Sequence, residues 1–250
     1  MTTPTKSGSA PSGPVGSDEL RRRVDEIDWF HSYEIAPGIV SPGEYRPQIH
    51  LDRGCLPEDL TGRSVLDIGA WDGFFSFEAE RRGAARVVAA DSWAWQGRSP
   101  LSPKPGSSEP AFGSKRGFEL VHELRNSKVE TTEAEVYDLD PDVIGTFDVV
   151  LFLGVLYHLP HPLLALEKVA SVVAEGGMVI VETVIDQTFT RRPAAAFYPG
   201  SDLNDDDSNY WGTNPACNLA MLRVAGFERA ETHWHTRFPT RAGHFVKQFI

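Results

Sequence analysis

The sequence predicts an α/β domain built on a doubly wound, mostly parallel sheet with helices on both faces. From residue 63 onward, short apolar stretches alternate with amphipathic stretches of helical length, which is the pattern of parallel strands joined by crossover helices. Several short stretches are apolar at every position, as expected of strands that are covered on both faces. Several of the helical stretches end at glycine, a common C-terminal signal.

The N-terminal part of the chain is predicted to stand apart from this alternation. Residues 1–17 are mostly Pro, Gly, Ser and Thr, so they bury too little apolar surface to offset ordering entropy and are expected to form a disordered tail. A Ser-Asp pair at their end is a suitable N-cap for a helix over residues 18–30. The apolar face of that helix carries Leu20, Val24 and Ile27. We expect residues 18–60 to form a helical lid and linker, and residues 61–250 to form the main domain.

The main domain is predicted to open with three strands and two helices. RSVLDIGA (63–70) and RVVAAD (86–91) are short, apolar and rich in β-branched residues, which is typical of buried strands. FFSFEAERRG (74–83) and GFELVHELRNS (117–127) carry apolar residues at helical spacing. TEAEVYDL (132–139) is predicted to be the third strand.

The second half of the domain continues the pattern. FDVVLFLGV (147–155) and MVIVETVI (178–185) are mostly apolar and are predicted to be strands, and PLLALEKVASVVAEGG (162–177) is predicted to be a helix closed by glycine. The remaining predicted elements are a helix at CNLAMLRVAGF (217–227) and two strands near 228–235 and 243–250.

Two long insertions, at 92–115 and 186–213, interrupt the alternation. Both combine turn-forming residues with aromatic ones. Long irregular loops in a compact domain are usually functional lids or plain insertions, and we favour lids that close over a substrate. Their aromatic residues are Trp93, Trp95, Phe112, Phe197, Tyr198, Tyr210 and Trp211.

Composition excludes several classes of protein. The 24 Lys and Arg residues against 35 Asp and Glu give a formal charge of −11, which argues against a general polyanion binder and makes a nucleic-acid partner an unfavoured expectation. The two cysteines exclude a disulfide framework and a Cys-based zinc site, and no metal is expected. The longest apolar run, residues 149–157, is too short to span a bilayer. Without a hydrophobic signal segment, a cytoplasmic location is expected, and the oligomeric state stays open, a homodimer included.

The loop after the first strand is the strongest functional signal. Asp67-Ile-Gly-Ala-Trp-Asp-Gly73 lies where a strand turns into a helix, at the sheet edge where open parallel sheets bind ligands. Its glycines allow a sharp turn and close approach of a ligand, although a pure packing role is the alternative. Asp91, at the end of the next strand, is placed to accept hydrogen bonds from both hydroxyls of a ribose.

The details of this loop favour one nucleoside-bearing ligand. A dinucleotide fingerprint has glycine where this loop has Trp71, and the bulky indole disfavours a pyrophosphate. No P-loop motif is present. Asp67 offers a carboxylate suited to an ammonium group. A ligand with ribose, ammonium and carboxylate but no phosphate is S-adenosyl-L-methionine.

From about residue 60 to 182 the chain resembles a class I S-adenosylmethionine-dependent methyltransferase, through DIGAWDGFFS, VVAADS, EVYDLD and FDVVLFLGVLYHL. The resemblance implies a Rossmann-like, seven-stranded sheet whose last strand is antiparallel. It also implies that Asp67, Gly69 and Gly73 contact the amino-acid end of the donor, Asp91 the ribose and Asp138 the adenine amino group. The full set of expected donor contacts is Asp67, Gly69, Ala70, Trp71, Gly73, Asp91, Ser92, Asp138, Leu139 and Gly154.

A second resemblance is more specific. GVLYHLPHPLLAL with VETVID is similar to the tRNA wobble-uridine 5-oxyacetate branch and its small-molecule-modifying relatives, and WFHSYEIAPGIVSPG extends the likeness upstream. Some enzymes of that branch use a carboxylated donor held partly by a lysine ahead of the first motif. The corresponding stretch here, residues 38–54, has no lysine, so ordinary S-adenosylmethionine is favoured, although Tyr157 of the donor-contacting block is retained.

Candidate acceptor residues follow the fourth main-domain strand and the N-terminal helix. His158 is the first candidate base, and hydrogen bonding to a backbone carbonyl is the equal alternative. Small Gly154 leaves room for an acceptor, which His31 and Tyr33 are expected to cover. The expected catalytic residues are His158, Tyr157 and His31. The expected substrate contacts are Trp29, Tyr33, Trp93, Glu182, Phe197, Tyr198 and Trp211.

Three functions follow from these observations. The preferred hypothesis is methyl transfer to oxygen or nitrogen of a small molecule by direct in-line displacement. The alternatives are a tRNA wobble-uridine-modifying (carboxy)methyltransferase and a binding protein for an adenosyl ligand that has lost catalysis.

Overall fold

The computed structural model describes residues 17–96, 114–186, 192–235 and 246–249. The helices are α1 (Ser17–Asp25), α2 (Gln48–Leu51), α3 (Phe74–Arg81), α4 (Arg116–Arg125), α5 (Pro141–Ile144), α6 (Pro162–Ser171) and α7 (Pro215–Val224), with short 3₁₀ helices at Val136–Asp138 and Leu156–His158. The strands are β1 (Glu34–Ala36), β2 (Ile39–Val40), β3 (Ser64–Ile68), β4 (Arg86–Ala90), β5 (Glu130–Thr132), β6 (Phe147–Leu153), β7 (Val173–Ile185), β8 (Ala195–Phe197), β9 (Trp211–Thr213), β10 (Trp234–His235) and β11 (Val246–Phe249).

The main sheet follows the order β10-β11-β7-β6-β3-β4-β5. Strands β5, β4, β3, β6 and β7 are parallel neighbours, whereas β11, the last strand, is antiparallel to β7. The predicted seven-stranded, mostly parallel sheet with an antiparallel last strand is therefore confirmed. The small strands β8 and β9 pair with each other and extend the end of β7.

Alternate residues of the central strands enter two separate cores. Val65 of β3 belongs to one cluster and Leu66 to the other, and both are fully buried. The first cluster includes side chains of α1, α3 and α4, and the second includes side chains of α6 and α7. Because helices cover both faces, the carboxyl ends of the strands form the edge at which ligands are expected.

The predicted third strand, residues 132–139, is wrong. The strand is β5, which pairs with the end of β4, and the chain then leaves the sheet. Val136 and Leu139 are buried in the second core from the 3₁₀ helix that follows. Their apolar spacing therefore comes from a short helix that packs on the sheet.

Two predicted helices are too long. The helix predicted over residues 162–177 ends at Ser171, because the chain enters the sheet at Val173, which pairs with Phe147 of β6. The helix predicted over residues 18–30 ends at Asp25, although its predicted apolar face is buried. The indole of Trp29 donates to the carbonyl of Val24, 2.9 Å away, and closes this helix end.

The region predicted as a helical lid is only partly helical. After α1 it forms the antiparallel β1–β2 hairpin and the one-turn helix α2. The predicted tail lies outside the described residues apart from its last residue, and so do parts of both predicted insertions, residues 97–113 and 187–191. No helix within the described ranges has the length and apolarity that crossing a membrane requires.

Candidate active site

The loop between β3 and α3, residues 69–73, is called the glycine loop. Gly69, Trp71 and Gly73 have φ angles of 79°, 50° and 81°, in the left-handed region that favours glycine. A Cβ on Gly73 would lie 2.5 Å from the ring of Phe118. A Cβ on Gly69 would lie 2.5 Å from Val155, which follows β6. Both glycines are therefore required by the backbone path and by close packing.

Asp91 fixes the glycine loop from the neighbouring strand. Its Oδ2 accepts the backbone N–H of Trp71 at 3.0 Å, and its Oδ1 accepts that of Ala94 at 3.0 Å. Burial raises the pKa of Asp91 to about 6, against the lowering effect of these hydrogen bonds. The backbone N–H groups of Ser92 and Trp95 also act on this carboxylate, so it is anchored at the strand end beside the glycine loop.

Asp67 is a second buried carboxyl group at the same edge. Its Oδ2 accepts the hydroxyl of Ser76 at 2.6 Å, and burial raises its pKa to about 6. Neither Asp67 nor Asp91 takes part in an ion pair within the described part of the chain. Two buried acids without a cationic partner suit a ligand that brings positive charge and hydroxyl groups, as the sequence predicts for the donor.

The other expected donor contacts lie around this loop. Ala70 and Ser92 are buried beside Asp91, and Leu139 is 1% exposed. Asp138 is exposed in the 3₁₀ helix after β5. The carbonyl of Trp71 accepts the indole N–H of Trp95 at 2.6 Å.

Aromatic rings connect the glycine loop to the N-terminal segment, residues 29–45. Trp71 stacks on Phe30 with ring centroids 4.6 Å apart, and Phe30 stacks on Tyr45 at 5.2 Å. Tyr45 in turn stacks on His50 at 5.2 Å, and its hydroxyl hydrogen-bonds to Nε2 of that histidine. The segment therefore covers the loop through a continuous column of rings.

Asp72 is the strongest contact between the loop and the N-terminal segment. Its Oδ2 accepts the backbone N–H groups of Phe30 and His31 at 3.1 and 2.8 Å, and its Oδ1 hydrogen-bonds with Nδ1 of His31. Its carbonyl accepts the hydroxyl of Tyr33 at 3.0 Å. No local sequence pattern marks Asp72 as a site residue, because its partner His31 is 41 residues away.

A second polar cluster lies after β6 and at the end of β7. Gly154 has a φ of 74°, and a Cβ there would lie 3.5 Å from Oε2 of Glu182 and 3.7 Å from the hydroxyl of Tyr157. Glu182 is 2% exposed. Burial, with the charge of Glu182, raises the pKa of Tyr157 well above its ordinary value. Burial, with a smaller contribution from the charge of Glu182, raises the pKa of Tyr45 as well.

Tyr45 and His50 are two further residues that the sequence did not mark. Nothing near them in the sequence predicts that the Tyr45 hydroxyl hydrogen-bonds to Nε2 of His50. A buried histidine hydrogen-bonded to a tyrosine becomes visible only once the fold brings α2 beneath the N-terminal segment.

His158 takes the backbone-bonded arrangement that the sequence left as the alternative to a base. Its Nδ1 lies 3.1 Å from the carbonyl oxygen and 3.0 Å from the hydroxyl of Ser208. Its catalytic role stays a prediction.

The expected aromatic substrate contacts fall into two groups. Trp29 and Tyr33 are buried core residues whose polar atoms bind within the protein, and Trp93 packs against the second core. Tyr198 donates to Asp186 at 2.8 Å. Phe197 packs on Trp211 and is 55% exposed. The indole nitrogen of Trp211 is buried with no hydrogen-bond partner among the described residues.

No group of three or more potential metal ligands occurs among the described residues. The acidic run at 205–207 acts in a turn instead, where Asp206 accepts the backbone N–H of Ser208 at 2.7 Å.

Comparison with known proteins places the chain among relatives of one kind. A family model described as a methyltransferase domain matches residues 44–244. The tRNA U34 carboxymethyltransferase of Mannheimia succiniciproducens is 26% identical over 230 residues, which cover 88% of this chain and 63% of that protein. That of Trichlorobacter lovleyi is 28% identical over 180 residues, covering 69% and 49%. The chain therefore spans less than two thirds of the length of these curated relatives.

Solved structures show the same fold at low identity. The N-terminal domain of EvdMO1, crystallised with SAH and D-fucose, superposes with a TM-score of 0.65 at 19% identity and covers 96% of this chain and 97% of that one. The 1,6-didemethyltoxoflavin-N1-methyltransferase of Burkholderia thailandensis, with its substrate and S-adenosylhomocysteine bound, gives 0.51 at 15% identity, covering 97% and 92%.

Proposed function

This chain belongs to the methyltransferase-domain family, as a methyltransferase of the S-adenosylmethionine-dependent class, and on that premise we propose that it methylates an oxygen or nitrogen of a small molecule. The observation that carries the proposal is the pair of buried carboxyl groups, Asp67 and Asp91, on adjacent strand ends around the glycine loop. S-adenosylmethionine supplies a methyl group activated by a positively charged sulfur.

The chemistry of the glycine loop fits this donor. The carboxylate of Asp67 would pair with the donor's ammonium group, and Asp91 would accept the ribose hydroxyls while it holds the loop. Asp138 and Leu139 would contact the adenine. The roles of Asp67 and Asp91 each exchange an unfavourably buried carboxylate for a satisfied one, because a cation or a hydroxyl favours the ionised form.

The second cluster is the proposed acceptor site. Gly154 leaves space beside Glu182 and Tyr157, and burial keeps water from competing for these groups. Tyr157 is a neutral phenol that can donate, and Glu182 can accept a hydrogen bond or a proton from the acceptor. The buried indole N–H of Trp211 would suit an oxygen of the same molecule. Such a site aligns an acceptor hydroxyl or amine for in-line attack.

A small acceptor is further supported by the cover over the site. The ring column from Trp71 to His50 lies against the glycine loop, which favours a molecule small enough to be enclosed. The formal charge of −11 also disfavours a large polyanion.

A tRNA acceptor is the second candidate, favoured by the names of the curated relatives. Their printed activity is carboxymethylation of U34, whereas the stretch expected to hold a carboxylated donor lacks lysine here. Purified protein incubated with labelled donor and bulk tRNA distinguishes the candidates. Labelled tRNA whose formation falls steeply with added salt would support the second candidate and contradict the first.

The test of the proposed function combines binding with turnover. S-adenosylmethionine and S-adenosylhomocysteine should raise the melting temperature, because they bind the native state, and NAD should not. A panel of hydroxyl- and amine-bearing metabolites with labelled donor should then give a labelled small product. Donor binding without any labelled product would favour the non-catalytic binding protein, and stabilisation by NAD alone would reject the donor assignment.

A further inference from the structure

Asp72 is a buried residue of the glycine loop that the proposed donor and acceptor contacts do not use. It is 1% exposed and holds the backbone of Phe30 and His31 and the hydroxyl of Tyr33. These contacts fix the N-terminal segment on the loop, so the imidazole of His31 is held in one place.

The remaining contact of Asp72 selects one form of that imidazole. Its Oδ1 hydrogen-bonds with Nδ1 of His31. A carboxylate only accepts, so the proton of the neutral ring lies on Nδ1 and the lone pair on Nε2. Nε2 has no hydrogen-bond partner among the described residues, and the side chain of His31 is 6% exposed. The ring therefore keeps a lone pair on Nε2 that no group of the described chain uses.

His31 is held against the glycine loop, where the donor is proposed to bind. Asp72 of that loop accepts the backbone N–H of His31 at 2.8 Å. The ring of His31 packs edge-on against Tyr45 of the ring column, with centroids 5.7 Å apart. His158, the other candidate base, has the carbonyl and hydroxyl of Ser208 as its Nδ1 partners. A carboxylate partner such as Asp72 stabilises the imidazolium that forms when the ring of His31 takes up a proton.

We infer that His31 receives the acceptor's proton and that Asp72 is the residue that positions it, an inference that rests on the proposed function. In the step, a lone pair of the acceptor oxygen or nitrogen forms the bond to the methyl carbon. The C–S bonding pair leaves with sulfur, and the acceptor's proton goes to Nε2 of His31. Asp72 then stabilises the imidazolium, as the buried aspartate of serine proteases does.

Asp72→Asn tests the inference without removing the segment's main anchor. The asparagine oxygen can still accept from the backbone of residues 30 and 31, while its amide group donates to Nδ1 and moves the ring proton to Nε2. In ¹⁵N-histidine NMR, wild-type His31 should show the Nδ1–H tautomer and the variant the Nε2–H tautomer. With the acceptor found in the metabolite screen, kcat should fall by about 100-fold or more, with an unchanged Kd for S-adenosylhomocysteine by calorimetry.

Tyr33→Phe is the matched control, because it removes another hydrogen bond between the N-terminal segment and Asp72 and leaves the imidazole of His31 unchanged. It should leave the tautomer of His31 unchanged. The His31→Asn variant identifies the NMR signal of His31, because that signal disappears. Its kcat should fall as that of Asp72→Asn does. A wild-type His31 with its proton on Nε2, or full kcat in Asp72→Asn after the tautomer has moved, would overturn this inference alone. If the wild-type protein binds neither S-adenosylmethionine nor S-adenosylhomocysteine, the proposed function is contradicted, and this inference is contradicted with it.

Discussion

Replacing Asp67 by Asn should stabilise the ligand-free protein while it weakens donor binding. Burial raises the pKa of Asp67 from 3.8 to about 6. Ionisation of this group at neutral pH therefore lowers the free energy of unfolding. At 1.36 kcal/mol per pKa unit, a shift of about two units corresponds to about 3 kcal/mol. The asparagine keeps the hydrogen bond, because the Ser76 hydroxyl can donate to its oxygen or accept from its amide.

The sign of the pH dependence follows from linkage. A carboxyl group whose folded pKa lies above its unfolded value binds protons more strongly when folded, so its unfavourable contribution appears as pH rises from about 4 to 6. The stability gain of Asp67→Asn should therefore be full above pH 6 and absent below pH 4. For a chain of this size, about 3 kcal/mol corresponds to a melting temperature higher by roughly 6–12 °C.

The assay is urea unfolding at pH 7.5 and pH 4 with Asp25→Asn as the control, because Asp25 is exposed and should change stability by less than about 0.5 kcal/mol. Thermal shifts with S-adenosylmethionine then report the loss of donor binding. A destabilised Asp67→Asn at pH 7.5, or a gain in stability that is equal at both pH values, would refute the reasoning about this buried acid.

Two further substitutions test the geometry of the two clusters. Gly73→Ala should cost more than about 2 kcal/mol in unfolding free energy, since it combines a positive φ with a Cβ 2.5 Å from Phe118. Gly176→Ala, at a similar φ with nothing within 4 Å, should cost only about 1 kcal/mol by urea unfolding, and equal costs would contradict the packing argument. Glu182→Gln should lower kcat or raise KM for the acceptor without changing the Kd of S-adenosylhomocysteine, and a weaker Kd would place Glu182 at the donor instead.

The alternation of strands and helices could be predicted because both faces of the sheet are covered. Val65 and Leu66 enter different cores, so these neighbouring positions of the strand are both apolar. The position of the third strand was predicted wrongly because β5, Glu130–Thr132, is a polar strand at the edge of the sheet. The apolar residues that suggested a strand come after it and belong to a 3₁₀ helix.

The donor side of the site was visible in the sequence, whereas the contacts that cover it were not. Asp67, the glycines and Asp91 lie within 25 residues of one another and follow two adjacent strands, so their meeting follows from the fold class. The hydrogen-bonded pair Asp72–His31 and the stacked pair Phe30–Trp71 join distant parts of the chain. Their formation depends on how the N-terminal segment folds back, and no local pattern encodes that path.

The pH dependence of S-adenosylmethionine binding tests the role of the two buried carboxyl groups most directly. Both have a pKa of about 6 in the free protein, and the donor favours their ionised forms. Calorimetry should therefore show a Kd that rises by about tenfold for each carboxyl group between pH 7.5 and pH 5, since only the ionised fraction is competent. A Kd that is the same at both pH values would contradict the assignment of these carboxylates to the donor.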